Sequence, residues 1–218
     1  MNRMNIGTVR IAIASAVLAL LAAFSAPAFA QSETLSTTVA RELTKAFEII
    51  QAKEEPTEDD LRQAIAIIEA LLASRSDRMS PYELGTSYEL VGSYKFQLGD
   101  YNGALRAFEQ AVNSGGLPEA RATQIRYNIA QLYFQEERYS EAIRYIREFI
   151  HYQQANAVPV NATTWYLLAA ANVATENYAG ARQPMETALR QHEQEVANGS
   201  TSRKKSYYDL LNAIYSQI

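Results

Sequence analysis

One stretch of this chain returns twice in altered form. GDYNGALRAFEQAV, which begins at residue 99, comes back as ERYSEAIRYIREFI from residue 137 and as ENYAGARQPMETAL from residue 176. With Ala104, Ala142 and Ala181 taken as equivalent positions, the copies are 38 and 39 residues apart. A period of this length is the pattern of one supersecondary unit copied and stacked. It restricts the possible folds more than any other feature of the chain.

Each copy is predicted to be a helical hairpin. The apolar residues after each turn recur at the spacing of one helix face. A second periodic segment precedes each turn and carries one small residue, which would let the two helix backbones approach closely. The small residues of these first helices are Gly92, Ala130 and Ala169. A single hairpin of this kind cannot bury its own apolar face, so the copies must stack.

Helix starts upstream and a helix downstream extend the pattern. Ser80-Pro81-Tyr82-Glu83 is a capping box with Pro in the first helical position. Thr57, followed by three acids, is a second start. It opens a helix that belongs to an earlier, degenerate hairpin from about Thr37 to Ser74. Near the other end, Tyr208, Leu211, Asn212 and Tyr215 match the first helix of a further unit, which is expected to cap the stack.

These residues resemble the tetratricopeptide repeat (TPR) family. The matching motif is Tyr88, Val91-Gly92, Gly99-Asp100-Tyr101 and the Ala104-x3-Phe108 run. The sequence departs from the family pattern at Lys95, Glu137, Glu176, Arg182 and Pro184. Pro184 is expected to kink its helix unless it lies in the first turns. The resemblance implies an all-α fold of stacked hairpins, a TPR-type α-α superhelix, that acts as a non-enzymatic scaffold for a protein or peptide partner.

The chain is predicted to divide into four segments. Residues 1–30 form a secretory signal peptide, 31–79 the degenerate N-terminal hairpin, 80–197 three TPR-like hairpins, and 198–218 a loop with a C-terminal capping helix. The signal is indicated by Arg3 and Arg10, an apolar run over 11–24 and the small residues of Ala28-Phe29-Ala30. An uncleaved membrane anchor is the alternative. Export predicts a periplasmic location, with secretion also open.

Composition excludes several classes of function. The chain has no Cys, so disulfides and thiolate metal sites are ruled out. The signal peptide holds two of the 20 Lys and Arg and none of the 24 Asp and Glu, so the mature chain is acidic and nucleic acid is not an expected partner. His151 and His192 have no metal-site spacing and are assigned structural or solvent roles. The acidic clusters fall at turns. No catalytic residue, metal site or cofactor is predicted.

In the TPR family, ligands usually lie along the concave face that the first helices line. Carrying this over gives an aromatic and amide-rich groove that suits an extended or helical peptide. The predicted groove residues are Phe96, Gln97, Tyr127, Gln131, Phe134, Gln135 and Tyr166. The alternative, weighed equally, is that several of these rings are core between repeats.

A narrower resemblance covers residues from about Asp60 to Tyr215. MSPYELGTSYELVGSYKFQLGDYNGALRAF, QIRYNIAQLYFQEERYSEAI and SYYDLLNAIY are similar to TPR proteins found with the TonB, ExbB and ExbD energy-transduction components of Gram-negative bacteria. This resemblance implies a periplasmic accessory of TonB-dependent outer-membrane transport, with TonB or ExbD as partners and membrane contact only through them. A scaffold for envelope assembly or cell-wall synthesis is the alternative, and a helical-repeat hydrolase is a third hypothesis.

Overall fold

The computed structural model describes residues 34–218, which are helical between short connections. The predicted signal peptide lies outside the described residues. The helices are α1 (Thr37–Gln51), α2 (Glu58–Arg75), α3 (Pro81–Gln97), α4 (Tyr101–Asn113), α5 (Glu119–Gln135), α6 (Tyr139–Ala155), α7 (Ala162–Ala174), α8 (Tyr178–Ala197) and α9 (Lys205–Tyr215). A short 3-10 turn, Ser76–Arg78, follows α2. The prediction of an all-α fold is confirmed for the described residues.

The chain separates into two compact units. The N-terminal unit comprises the described residues up to Ile129, and the C-terminal unit comprises Ala130–Ile218, so that the division falls inside α5. In the N-terminal unit α1 packs on α2, α2 on α3, and α3 on α4. In the C-terminal unit α6 packs on α7, α7 on α8, and α8 on α9. Within each unit, the consecutive helices named here are therefore neighbours in space, as stacked hairpins require.

The small residues used to align the repeats are buried. Ala64, Ala104, Ala142 and Ala181 are all 0% exposed. In the first helix of the α3–α4 hairpin, a Cβ at Gly92 would lie 2.6 Å from the Phe108 ring. No side chain fits between these helices, which confirms that a small residue is needed for their close approach.

The turns of the three TPR hairpins share one conformation despite different residues. Gly99, Glu137 and Glu176 adopt positive φ angles of 76°, 62° and 59°. The next residue in each turn donates its backbone N–H to the carbonyl five positions earlier, over 2.8–2.9 Å. This is the Schellman ending of a helix. The two Glu residues therefore occupy the place of the family's turn Gly and take its left-handed geometry, at a cost of about 1–2 kcal/mol each.

The two predicted helix starts are confirmed and are linked to their surroundings. At the start of α3, the Ser80 hydroxyl accepts from the Glu83 backbone N–H (3.2 Å), and the Glu83 carboxylate accepts from the Ser80 backbone N–H (2.8 Å). The other Glu83 oxygen accepts from the backbone N–H of Ser36, which precedes α1, at 2.8 Å. One buried carboxylate thus fixes the beginnings of two helices.

Pro184 lies in the second turn of α8, and the helix continues past it to Ala197. It is buried in the hairpin. Proline is tolerated best in the first turn of a helix, where the missing N–H would have no partner. Here the position lies beyond that turn, so the carbonyl of Gly180 loses the donor that an ordinary residue would supply.

Asp60 at the start of α2 is expected to make stability depend on pH. Its carboxylate accepts from Lys53 Nζ at 2.7 Å and from the Thr57 hydroxyl at 2.6 Å, and these contacts, Lys53 first, lower its pKa to about 2. Because the folded pKa lies below the ordinary value of 3.8, the stabilisation is present above that value and is lost as pH falls toward 2.

We therefore expect Asp60→Asn to be less stable than the parent at pH 7 and to lose less further stability between pH 5 and pH 2. Urea midpoints measured over that range would show the difference. Asp59→Asn, in the same turn but exposed, is the control and should keep the parent's slope. Equal slopes for the parent and Asp60→Asn would contradict the prediction.

Candidate partner-binding face

The predicted groove residues lie on the first helices of the TPR hairpins. Phe96 and Gln97 end α3, while Tyr127 lies in the part of α5 that belongs to the N-terminal unit. Gln131, Phe134 and Gln135 end α5 and Tyr166 lies on α7, all four in the C-terminal unit. The repeat makes Phe96 equivalent to Phe134, Gln97 to Gln135 and Tyr127 to Tyr166 in sequence.

Two of the predicted rings pack at the ends of their own hairpins. Phe96 lies 5.5 Å from the ring of Tyr101, the aromatic residue of the turn, and Phe134 lies 5.2 Å from the equivalent Tyr139. The second pair meets edge to face, at 75°. Such pairs favour a fixed ring geometry. Phe96 and Phe134 thus hold the turn against the first helix, and Phe134 keeps only 7% of its surface exposed.

Tyr127 and Tyr166 are buried. Their exposed fractions are 2% and 5%, and Tyr127 is among the largest fully buried side chains of the described chain. The Tyr166 ring lies 4.7 Å from the ring of Tyr207 on α9. Burial raises the pKa of Tyr166 above that of a free phenol. These positions favour the alternative that the rings are core, although a partner-binding role for the face stays a prediction.

The amide residues of the face are accessible. Gln97 and Gln135 are exposed at the ends of α3 and α5, and Gln131 is half-buried one turn before Gln135. A side-chain amide both donates and accepts, so it can meet the backbone of an extended peptide. These residues therefore offer a partner polar contacts from their amides, whereas most of the aromatic rings are buried.

A buried ion pair on the first helices was not predicted. Glu89 on α3 is 7% exposed, and its carboxylate contacts the guanidinium of Arg121 on α5 at 2.5 Å. Burial raises the pKa of Glu89, and Arg121 opposes that shift. Glu89 shares a helix face with Ser93, four residues later, and Ser93 is also buried. Because its charge is matched by Arg121, Glu89 links α3 to α5 within the N-terminal unit.

The two histidines lie in different surroundings. His151 on α6 is exposed, as a solvent role requires. His192 on α8 is only 1% exposed, which favours the structural one of the two roles assigned to it. Within residues 34–218, no group of three His, Cys, Asp or Glu residues converges as a metal site would require.

A shallow depression of about 210 Å³ lies beside α2 in the N-terminal unit. Its lining includes Arg62, Glu69, Lys95 and Asp100. Lys95, at a position where the TPR family usually has an aromatic residue, places Nζ 2.7 Å from Glu69 Oε1. The departure from the family pattern is therefore compensated by an ion pair to the preceding helix.

None of the helices between residues 34 and 218 combines the length and apolar character needed to cross a membrane.

Solved structures show a similar architecture. MamA from Desulfovibrio magneticus RS-1, residues 41 to the end, aligns with a TM-score of 0.56 at 12% identity, over 84% of this chain and 97% of that chain. A MamA RS-1 ArsTM double mutant aligns with a TM-score of 0.57 at 12% identity, over 84% of this chain and 96% of that chain. The TPR-like repeats assigned to a kinesin light chain of Podosopora anserina align with a TM-score of 0.54 at 15% identity, over 83% of this chain and 86% of that chain. At these identities the likeness concerns the fold alone.

The sequence itself matches a family model. The tetratricopeptide repeat model covers residues 92–154 and, in a second overlapping match, residues 127–196. No curated protein matches the chain. The matched range contains the three aligned Ala positions and the three left-handed turns described above. Residues 92–196 of this chain therefore match the tetratricopeptide repeat model in sequence, and together with the similar solved structures this confirms the predicted TPR-type fold.

Proposed function

We propose that this protein is a non-enzymatic scaffold in the periplasm that binds a protein partner and assists TonB-dependent outer-membrane transport. The observation that carries the scaffold role is the run of TPR hairpins over residues 92–196, because stacked hairpins of this family present extended surfaces to proteins. The signal-peptide pattern of residues 1–30 supports the location. The three quoted stretches similar to TonB-associated TPR proteins support the transport role.

The chemistry of the described residues is consistent with binding rather than turnover. A general acid needs a carboxylate in an apolar cleft with its proton available to a substrate. The buried carboxylate of Glu89 on α3 is instead held in an ion pair with Arg121. The acids of the turn before α2, Glu54 and Glu55, are exposed. The structure thus offers charges that fix helices, which supports a non-enzymatic role.

The residues proposed to meet the partner are two exposed amides, Gln97 in the N-terminal unit and Gln135 in the C-terminal unit. Each is exposed at the end of a first helix, beside a ring that is fixed by its hairpin turn. Each is proposed to hydrogen-bond the partner backbone within its own unit. Because the neighbouring rings are already fixed, less conformational entropy is lost when a partner binds. A few polar contacts can then contribute more to the affinity.

The first experiment is a cross-linked pull-down of the tagged full chain from the envelope of its own host, with mass spectrometry of the captured proteins. Recovery of TonB, ExbD or a TonB-dependent receptor is the expected result. Recovery of cell-wall enzymes or assembly factors in their place would overturn the transport role and favour a scaffold for envelope construction.

The same capture tests the binding surface when it is repeated with variants. We expect Gln97→Ala combined with Gln135→Ala to reduce recovery of the partner severalfold. The matched control is Gln110→Ala with Gln154→Ala, which removes two amides that are also exposed, from the second helices α4 and α6. All four side chains are exposed, so stability should change by less than about 0.5 kcal/mol per site. Equal losses in both variants would show that the partner contacts another surface.

A further inference from the structure

The last helix of the chain is attached to the α7–α8 hairpin through a buried histidine. His192 Nε2, on α8, accepts a hydrogen bond from the backbone N–H of Lys204 at 3.0 Å. Lys204 immediately precedes α9 and is the end of the exposed connection that leaves α8. The imidazole is 1% exposed. A ring nitrogen that accepts must be unprotonated, so this contact requires neutral His192.

Aromatic stacking continues from this hydrogen bond into the hairpin. The His192 ring lies 4.4 Å from the Tyr207 ring at an interplanar angle of 22°. Tyr207 in turn lies 4.7 Å from Tyr166 on α7. On α9, Tyr207, Leu210 and Ile214 are buried, with exposed fractions of 4%, 2% and 0%. The histidine is thus the end of a three-ring column on which α9 rests.

The charged groups around His192 come from every element that meets it. On α8, Glu195 has a carboxylate oxygen 3.9 Å from His192 Nδ1, and Glu193 lies next in sequence. The connection contributes Lys204 and Arg203, while α9 contributes Tyr207. Farther along the column, burial raises the pKa of Tyr166, and the charge of Asp209 on α9 adds to that rise. Burial lowers the pKa of His192, Lys204 and Arg203 lower it further, and Glu195 and Glu193 oppose the shift.

We propose that His192 is a proton-sensitive latch, and that its protonation detaches α9 from the α7–α8 hairpin and uncovers Tyr166. A proton on Nε2 would face the Lys204 N–H, donor against donor, and place a charge in a buried site. Release returns the imidazolium to water and removes both penalties. This device does not depend on which partner the protein binds.

The sign of the pH dependence follows from linkage. His192 binds its proton more weakly when α9 is attached than when it is free, so lowering the pH favours the detached state. The attached state is fully favoured above the ordinary imidazole pKa of 6.5. Below it, the ratio of detached to attached molecules rises by up to tenfold per pH unit. Between pH 7.5 and pH 5.0 the limiting change is about thirtyfold.

A second contact between α8 and α9 has no pH dependence of its own over this range. Tyr215 donates to Glu186 at 2.7 Å, and the pKa of Glu186 is lowered by Arg182 and by Tyr215 itself. Glu186 therefore stays ionised near pH 5, and this contact does not supply the pH dependence. Detachment would begin at the Lys204 end of α9, where His192 lies.

Spin-label distances measure the movement directly. The chain has no Cys, so Arg190→Cys on α8 and Asn212→Cys on α9, both at exposed positions, give two labels in the full chain. We expect one short distance at pH 7.5 and a longer population that grows severalfold or more at pH 5.0. His192→Gln keeps an acceptor for Lys204 and cannot be charged, so it should show the short distance at both pH values. His151→Gln is the control and should behave as the parent.

Three outcomes would overturn the latch. These are equal distance distributions at both pH values, a His192→Gln variant that opens as the parent does, and a loss of helicity throughout the chain at pH 5.0. Should His192→Gln fail to fold, carbon NMR of the His192 ring in the parent provides the second test. Its titration midpoint should coincide with the midpoint of the distance change, and separate midpoints would exclude His192 as the trigger.

Discussion

Gly116→Ala should lower the free energy of unfolding by about 3 kcal/mol or more, because the added methyl group would collide with backbone rather than with a movable side chain. A Cβ at Gly116 would lie 2.1 Å from the carbonyl carbon of Pro81 and 2.2 Å from the backbone nitrogen of Tyr82. Those atoms form the first turn of α3, which the Ser80 capping box fixes. Either the turn before α5 or the start of α3 would have to move.

The neighbouring Gly115 supplies the control. It has a φ of 68° and nothing within 4 Å of an added Cβ, so Gly115→Ala meets only the cost of a left-handed backbone, about 1–2 kcal/mol. For a chain of this size 1 kcal/mol corresponds to about 2–4 °C in melting temperature. Thermal melts of the two variants should thus differ clearly, with Gly116→Ala the lower. A Gly116→Ala variant as stable as Gly115→Ala would mean that the turn does not lie against α3.

The fold could be predicted from the sequence because local signals agree with the repeat. The period of the repeat and its small residues predicted the hairpins, and the capping residues Thr57 and Ser80 predicted where two helices begin. The turns show the limit of a residue-by-residue comparison. Glu137 and Glu176 look like departures from the turn Gly, yet their backbones have its conformation. The surrounding hairpin determines that conformation, and the local residue tolerates it.

The sequence predicted which residues of the candidate face lie on the same side of their helices, but it did not predict how exposed those residues are. Helical periodicity states which residues share a face, and it placed Gln97 and Gln135 at accessible helix ends. It does not state what covers that face. Tyr166 is covered by α9, which lies some forty residues later in the chain. The burial of Glu89 and of His192 has the same origin, since both depend on contacts with another helix. Such contacts come from packing, which periodicity alone does not specify.

Tyr127 allows a direct decision between core and groove. With 2% of its surface exposed, Tyr127→Ala should leave a cavity in α5 and its neighbours and cost about 3–5 kcal/mol. Urea unfolding of the full chain, followed by circular dichroism, would measure the loss. Tyr127→Phe, which keeps the ring and removes the hydroxyl, should cost no more than about 1.5 kcal/mol.

The comparison becomes informative when partner capture is measured on the same variants. If Tyr127 is core, Tyr127→Ala lowers stability, and Tyr127→Phe captures as much partner as the parent at a temperature where both are folded. If the ring were instead a contact in the groove, Tyr127→Ala would remain as stable as the parent and would lose capture. Truncating a buried ring lowers stability, whereas truncating an exposed ring does not. The two hypotheses therefore predict different combinations of stability and partner capture for the two variants. The burial of Tyr127 makes the first combination the expected one.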